Sequence, residues 1–234
     1  MIVEMTTTHF HKPEVLVESA LRIERQFSDN QYYGCPGNPP ILSLAGRMPL
    51  ILSCPHAVNH PREGSTKLAD TFTGTLGIQL SELTGTPALI YSRTTSEDPN
   101  YDEDGPYKRA LLHYVSSHTP RCVLDLHGLS SASNFQIVLG TAQGRSIAHR
   151  LDLRTSFVAI LQGHGFTRIG VDIPGFYDAS RPTTITSFIS REANVPSIQI
   201  EIHKEFRDPA MFGPQYVQLL GALRDCISFC ADAF

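Results

Sequence analysis

Arg121-Cys122-Val123-Leu124-Asp125-Leu126-His127-Gly128 reads as a buried strand that runs out into a loop. Side chains alternate along a strand, so Val123, Asp125 and His127 share one face. An aspartate and a histidine on a buried face need partners, because polar groups are costly to bury alone. One answer is a core histidine held by Asp125 or a backbone carbonyl. The other is a metal or catalytic site at the end of the strand. The stretches around His56 and Glu201 shift the balance toward the second.

Strand-like and helix-like segments alternate on both sides of this stretch. Ile41–Ala45 and Leu50–Cys54 read as strands around the turn Gly46-Arg47-Met48-Pro49, and Cys54-Pro55-His56 leaves the second into a polar loop through Ser65. Leu68–Leu83 has helical spacing at Phe72, Leu76, Leu80 and Leu83, Ala88–Tyr91 is a strand, and Ser92–Gly105 is a long acidic loop of functional character. Pro106 opens a helix, Phe135–Leu139 and Thr167–Val171 are strands, and Arg145–Gln162 is a helix between them. Asp172–Pro182 is loop and Thr184–Glu192 a short helix. In Ser197–Ile202, Gln199 and Glu201 share the face that His203 continues, and a last helix runs from Gly213 to Phe229. This alternation predicts an α/β class: a single domain over residues 1–234, with a mixed, mostly parallel sheet and helices on both faces. Residues 1–40 are read as an N-terminal extension, of which 1–12 form a loose lead-in before a helical run from Pro13 to Gln26.

With 234 residues, 41% hydrophobic and 18% charged, the chain can build a substantial core. A net charge of −4 and the lack of a basic block argue against a nucleic-acid partner. The start Met1-Ile2-Val3-Glu4-Met5 has no cationic, apolar leader pattern, and no apolar run nears the roughly 18 residues of a membrane span. The five cysteines are odd in number and lack a CxxC spacing, and Cys54 and Cys122 lie in apolar runs as reduced core residues. The expectation is a cytoplasmic protein without a membrane partner.

In such sheets ligands gather at the carboxyl ends of strands. His56, Arg93, His127 and His203 all follow predicted strands, and Glu201 lies near the end of one. Hydrolytic zinc sites hold the metal with three protein ligands and leave a place for water. His56 and His127 supply two, and Asp70 or Glu63 the third; Asp70 could instead cap the helix that follows it. Glu201, on a buried strand, suits a base that takes a proton from water, since burial raises a carboxyl pKa. Its structural alternative is an ion pair with Lys204 or Arg207. Arg93 could grip a substrate carboxylate with paired hydrogen bonds, aided by Asn100, or could merely pair with Glu97, Asp98 or Asp102.

These blocks resemble the N-formylglutamate amidohydrolase family. Ser53-Cys54-Pro55-His56 is similar to its S-x-P-H signature, and Asp70 falls where the family has an acid opening a helix. Tyr91-Ser92-Arg93 with Asp98-Pro99-Asn100 resembles its S-R…D-x-N segment, Asp125-Leu126-His127-Gly128 its D-L-H-G strand end, and Ile198–Ile202 its Q-x-E strand. The resemblance spans about Ser53 to Arg207, with Ala57-Val58-Asn59 standing where the family has small residues. It implies a fold like that of zinc carboxypeptidases and aspartoacylases. It also implies one zinc ion on His56, Asp70 and His127, Glu201 as base, and Arg93 and Asn100 on the substrate carboxylate. The expected reaction is cleavage of a C–N amide bond in a small N-acyl amino acid or related carboxylate-bearing amide. A zinc peptidase or peptide amidase, and a non-catalytic binding relative, are the alternatives.

Overall fold

The structure, a computed structural model, describes residues 12–175 and 177–232. Seven strands form one mixed sheet: β1 (Ile41–Leu44), β2 (Ile51–Cys54), β5 (Ala88–Tyr91), β6 (Val123–Leu129), β7 (Ile137–Gly140), β8 (Ile169–Val171) and β9 (Ser197–His203). A separate hairpin is made of β3 (His60–Arg62) and β4 (Ser65–Lys67). The order across the sheet is β1-β5-β2-β6-β9-β7-β8. β5, β2, β6 and β9 run parallel, whereas β1 and β7 join antiparallel to β5 and β9. The parallel strands are buried nearly throughout because helices cover both of their faces.

The helices are α1 (Pro13–Ser28), α2 (Thr73–Thr84), α3 (Pro106–His118), α4 (Leu151–Gly163), α5 (Ile185–Ala193), α6 (Lys204–Arg207) and α7 (Gly213–Asp232). α1, α2 and α4 pack together with α7, while α3 and α5 pack on each other. No helix among the described residues is long and apolar enough to cross a membrane.

From Pro13 on, the expected N-terminal extension is part of the core: α1 buries Ala20, Ile23 and Phe27 against it. The lead-in expected over 1–12 lies, up to residue 11, outside the described residues. The polar loop expected after His56 contains the β3–β4 hairpin, turned at Glu63 and Gly64 with φ of 45° and 76°. The helix expected from Leu68 starts only at Thr73, because Phe72 has left-handed backbone at φ 66°. The helix expected over 145–162 is split into a 3-10 turn, Arg145–Ile147, and α4, by left-handed Ala148 and His149.

The start of α2 has no capping side chain of its own. Glu24 of α1 replaces one: its Oε1 accepts from Phe72 N–H at 2.8 Å and Tyr32 Oη at 2.9 Å, and its Oε2 accepts from Thr75 Oγ1 at 2.6 Å. Burial raises the Glu24 pKa, and the three hydrogen bonds oppose that shift. Close approach fixes the other side of α2. A Cβ on Gly77 would sit 2.5 Å from Cys54 Sγ, and one on Gly74 2.6 Å from the Phe27 ring. Thus α2 is set against β2, and the segment entering it, which carries Asp70, is set with it. Glu24→Ala strands three donors and should lower unfolding free energy by about 3 kcal/mol in urea titrations. A loss below about 1 kcal/mol would show that Glu24 does not anchor the α2 terminus.

Candidate active site

The parallel register lines up a row of polar residues across the central strands. Ser53 of β2 is opposite Asp125 of β6, which is opposite Gln199 of β9, and two residues on His127 is opposite Glu201. Asp125 is wholly buried and accepts from Ser53 Oγ at 2.8 Å and Thr186 Oγ1 at 3.2 Å. Its Oδ2 also lies 3.2 Å from His127 Nε2. His56 stands just past β2, with its Nε2 2.8 Å from Asp98 Oδ1. Asp98 comes from the loop after β5 and is held on its other oxygen by Arg62 Nε at 2.7 Å.

Each histidine therefore turns one nitrogen toward a carboxylate. An ionised carboxylate can only accept, and in each ring the nearer carboxylate contact is at Nε2, so a neutral ring carries its proton there and presents the Nδ1 lone pair. Both lone pairs face one oxygen: Asp70 Oδ2 is 3.5 Å from His56 Nδ1 and 3.4 Å from His127 Nδ1. His56 Nδ1 is buried without a hydrogen-bond partner. The three ligand atoms lie within 4.8 Å of one another. Three acceptors facing one another repel unless positive charge lies between them. Bonds of about 2.0–2.1 Å would put neighbouring tetrahedral ligands about 3.4 Å apart, close to both spacings. The residues present fit a bound metal ion, and the carboxylates on the far nitrogens are the usual support for metal-binding imidazoles.

The titration behaviour shows the same demand for positive charge. Burial alone would lower the His127 pKa, but the Asp125 charge and the hydrogen bonds to Asp125 and Asp70 raise it well above the usual value. Burial would raise Asp70, yet Lys67 and the two histidines hold it well below the carboxylate range. Lys67 Nζ takes Asp70 Oδ1 at 2.7 Å, leaving Oδ2 to the histidines.

Glu201 shares the sheet face of His127 and is 7% exposed. Burial pushes its pKa up to about 7, against the pull of His127. Its Oε1 accepts from Gln199 Nε2 at 3.0 Å. The alternative ion pairs are not formed: Lys204 pairs with Asp208, and Arg207 donates to the carbonyls of Ile202 and Thr71. A cavity of about 320 Å³ opens over His56, Asp70, His127 and Glu201.

The other expected residues fall less evenly. Asp70 does not cap α2, whose N-cap position is Phe72. Glu63 sits exposed on the hairpin turn, away from the His56–Asp70–His127 cluster. Asn100 lines the cavity with its Oδ1 fixed by Ile185 N–H at 2.8 Å and its Nδ2 3.2 Å from His127 Nε2. Arg93 does not line it; its Nε donates to Asn38 O at 2.9 Å and ties down the preceding loop. The cations that do line the cavity are Arg62, Lys67 and Arg181. Arg62 lies in the polar loop expected through Ser65 and Lys67 just beyond it, where Glu63-Gly64 is the available hairpin signal. Arg181 and Tyr177 come from the loop after β8, which carried no signal beyond its polarity.

No family model matches the chain, and no curated protein matches it. Solved structures that share the fold include the following three. A bacteriophage poly-gamma-glutamate hydrolase has a TM-score of 0.53 at 18% identity, over 80% of this chain and 87% of its own. A metallo-carboxypeptidase from Burkholderia cenocepacia has a TM-score of 0.57 at 12% identity, over 92% and 68%. The succinylglutamate desuccinylase from Chromobacterium violaceum has a TM-score of 0.50 at 14% identity, over 95% and 78%. Identities this low show a common fold and nothing beyond it.

Two outcomes follow from the geometry. Asp98→Asn and Asp125→Asn should each weaken metal binding by about 10- to 100-fold in competition with a chelating dye, because each frees a histidine ring to turn. Unaltered affinity in both would exclude the carboxylates as supports of the site. Separately, a carboxyl with a raised folded pKa favours folding only while it keeps its proton. For Glu201 that contribution is complete below about pH 4.5 and is lost as pH rises through about 7. Glu201→Gln should therefore remove on the order of 3 kcal/mol of the metal-free protein's stability change between pH 5 and pH 8. Parallel pH–stability curves for the two proteins would contradict the raised pKa.

Proposed function

We propose that the chain is a zinc-dependent hydrolase of a C–N amide bond in a small N-acyl amino acid or related carboxylate-bearing amide. The observation that carries this reading is the convergence of His56 Nδ1, Asp70 Oδ2 and His127 Nδ1 beside a buried carboxyl, Glu201, with a pKa near 7. Two imidazoles and one carboxylate form a donor set that suits zinc. When bound there, zinc supplies a Lewis acid that polarises a carbonyl and makes water more acidic.

Glu201 then takes the proton from the attacking water and returns it to the leaving nitrogen, a shuttle its near-neutral pKa suits. The Gln199 amide keeps the Glu201 carboxyl turned to one side during both transfers. Asp98 and Asp125 keep the two rings in one tautomer. For the substrate carboxylate, Arg181 is the candidate in place of Arg93. It lines the cavity, and among the described residues its side chain has no hydrogen bond or ion pair. Asn100, fixed on α5, faces the same space. N-formylglutamate is the first substrate to test, given the sequence blocks around His56, His127 and Glu201. All five cysteines are free thiols, in keeping with a cytoplasmic location.

Glu201→Gln should keep zinc and lose roughly 10²- to 10⁴-fold in turnover, the usual worth of a general base. An active Glu201→Gln protein would remove Glu201 from the chemistry. A wild-type protein that binds zinc and carboxylate-bearing amides but hydrolyses none would point to a binding relative. Arg181→Ala should raise KM for carboxylate-bearing amides by about 10-fold or more while Arg93→Ala leaves it near the wild-type value. The reverse pattern would restore Arg93 to the substrate.

A further inference from the structure

A second cavity, of about 400 Å³, lies beside the first. Ser180 lines both, and its neighbours divide between them, Arg181 facing the first cavity and Pro182 the second. The two spaces are thus separated by one short stretch of the loop after β8. Their walls differ in charge. The first carries Asp70, Asp178 and Glu201 alongside its cations, whereas the second is lined by Arg145 and Arg191 and, among the described residues, by no carboxylate.

Both arginines keep N–H donors that an anion could take, although Arg191 is already paired with Glu192. Arg191 is partly held in place: its Nε donates to Glu192 at 2.7 Å, its Nη1 to Pro182 O at 3.3 Å, and its guanidinium lies over the Phe188 ring. Its Nη2 keeps its hydrogens for a ligand. Arg145 is exposed and opens the 3-10 turn after Gly144, with no side-chain hydrogen bond or ion pair among the described residues. The turn itself is anchored by Ser146 Oγ, which donates to Ser197 O at 2.7 Å. The hydroxyls of Ser187 and Ser190 likewise donate to carbonyls, so the donors left facing the space are guanidinium groups and Ser180.

We infer that this second cavity is a subsite for a further carboxylate of the same substrate, so that the molecule cut at His56, Asp70 and His127 extends beyond a single amino acid. The inference rests on the amide-hydrolase reading for what is cut, but not for what is bound. Two guanidinium groups share one acid, Glu192 beside Arg191, so a net positive charge remains to favour a carboxylate, and the shared Ser180 wall sets the subsite next to the first cavity.

The test compares N-formylglutamate with N-formyl-Glu-Glu-Glu on the zinc-loaded wild type and on the Arg145→Met, Arg191→Met double variant. In the wild type the longer compound should be preferred by about 10-fold in kcat/KM, and the preference should shrink with added salt. In the double variant the ratio should fall to about one. Calorimetric titration with the same two compounds reads binding independently of turnover. If neither compound is hydrolysed but the longer one binds about 10-fold tighter to the wild type only, the subsite stands and the amide-hydrolase reading falls. Equal rates and equal affinities for the two compounds in the wild type overturn the subsite. So does a double variant that keeps the preference, or a wild type that binds neither.

Discussion

Two imidazole lone pairs and a carboxylate oxygen face one another on the nearly buried floor of a cavity, and the polar centre of the fold depends on resolving that repulsion. The far side of each ring sets it up. Asp98 and Asp125 are both fully buried and claim the Nε2 protons, which leaves Nδ1 of His56 and of His127 pointing at Asp70. Positive charge has to enter between them. In the metal-free chain part of it comes as a proton on His127, whose pKa the neighbouring carboxylates raise, and part from Lys67 on Asp70. A divalent ion answers the same demand with one body at the centre.

The surrounding structure reads as support for that arrangement. Parallel pairing of β2 with β6 sets Ser53 opposite Asp125, so this carboxylate takes one hydrogen bond from β2 and another from Thr186 of α5 before it meets His127. The β3–β4 hairpin gives one cation to each of the other carboxylates, Arg62 to Asp98 and Lys67 to Asp70. Gly128 makes room beside them: a Cβ there would lie 2.9 Å from Asp70 Cβ and 2.8 Å from Arg207 Nη2. The Glu24 carboxylate, far along the chain from all of these, fixes the helix that follows Asp70.

The α/β class and the mixed, mostly parallel sheet were legible because apolar runs of strand length alternate with helical spacing along the chain. His127 and Glu201 were legible for a local reason, since period two on a buried strand forces each polar side chain to declare a partner. Their side-by-side placement was not, because it depends on the register of strands more than seventy residues apart. The direction of Arg93 was equally hidden. Its position after β5 put it near the right end of the sheet, but a backbone carbonyl at Asn38 captured it. Arg62, Lys67 and Arg181 reach the cavity through a hairpin and a loop whose courses are set by packing and not by any pattern of their own.

The account stands most directly on what sits between His56, Asp70 and His127. X-ray absorption on protein titrated with zinc reads both the stoichiometry and the atoms around the ion. One zinc per chain is expected, in a shell of light atoms at about 2.0–2.1 Å with the outer scattering of two imidazoles. A shell containing sulfur at about 2.3 Å, or zinc bound without imidazole, would contradict it.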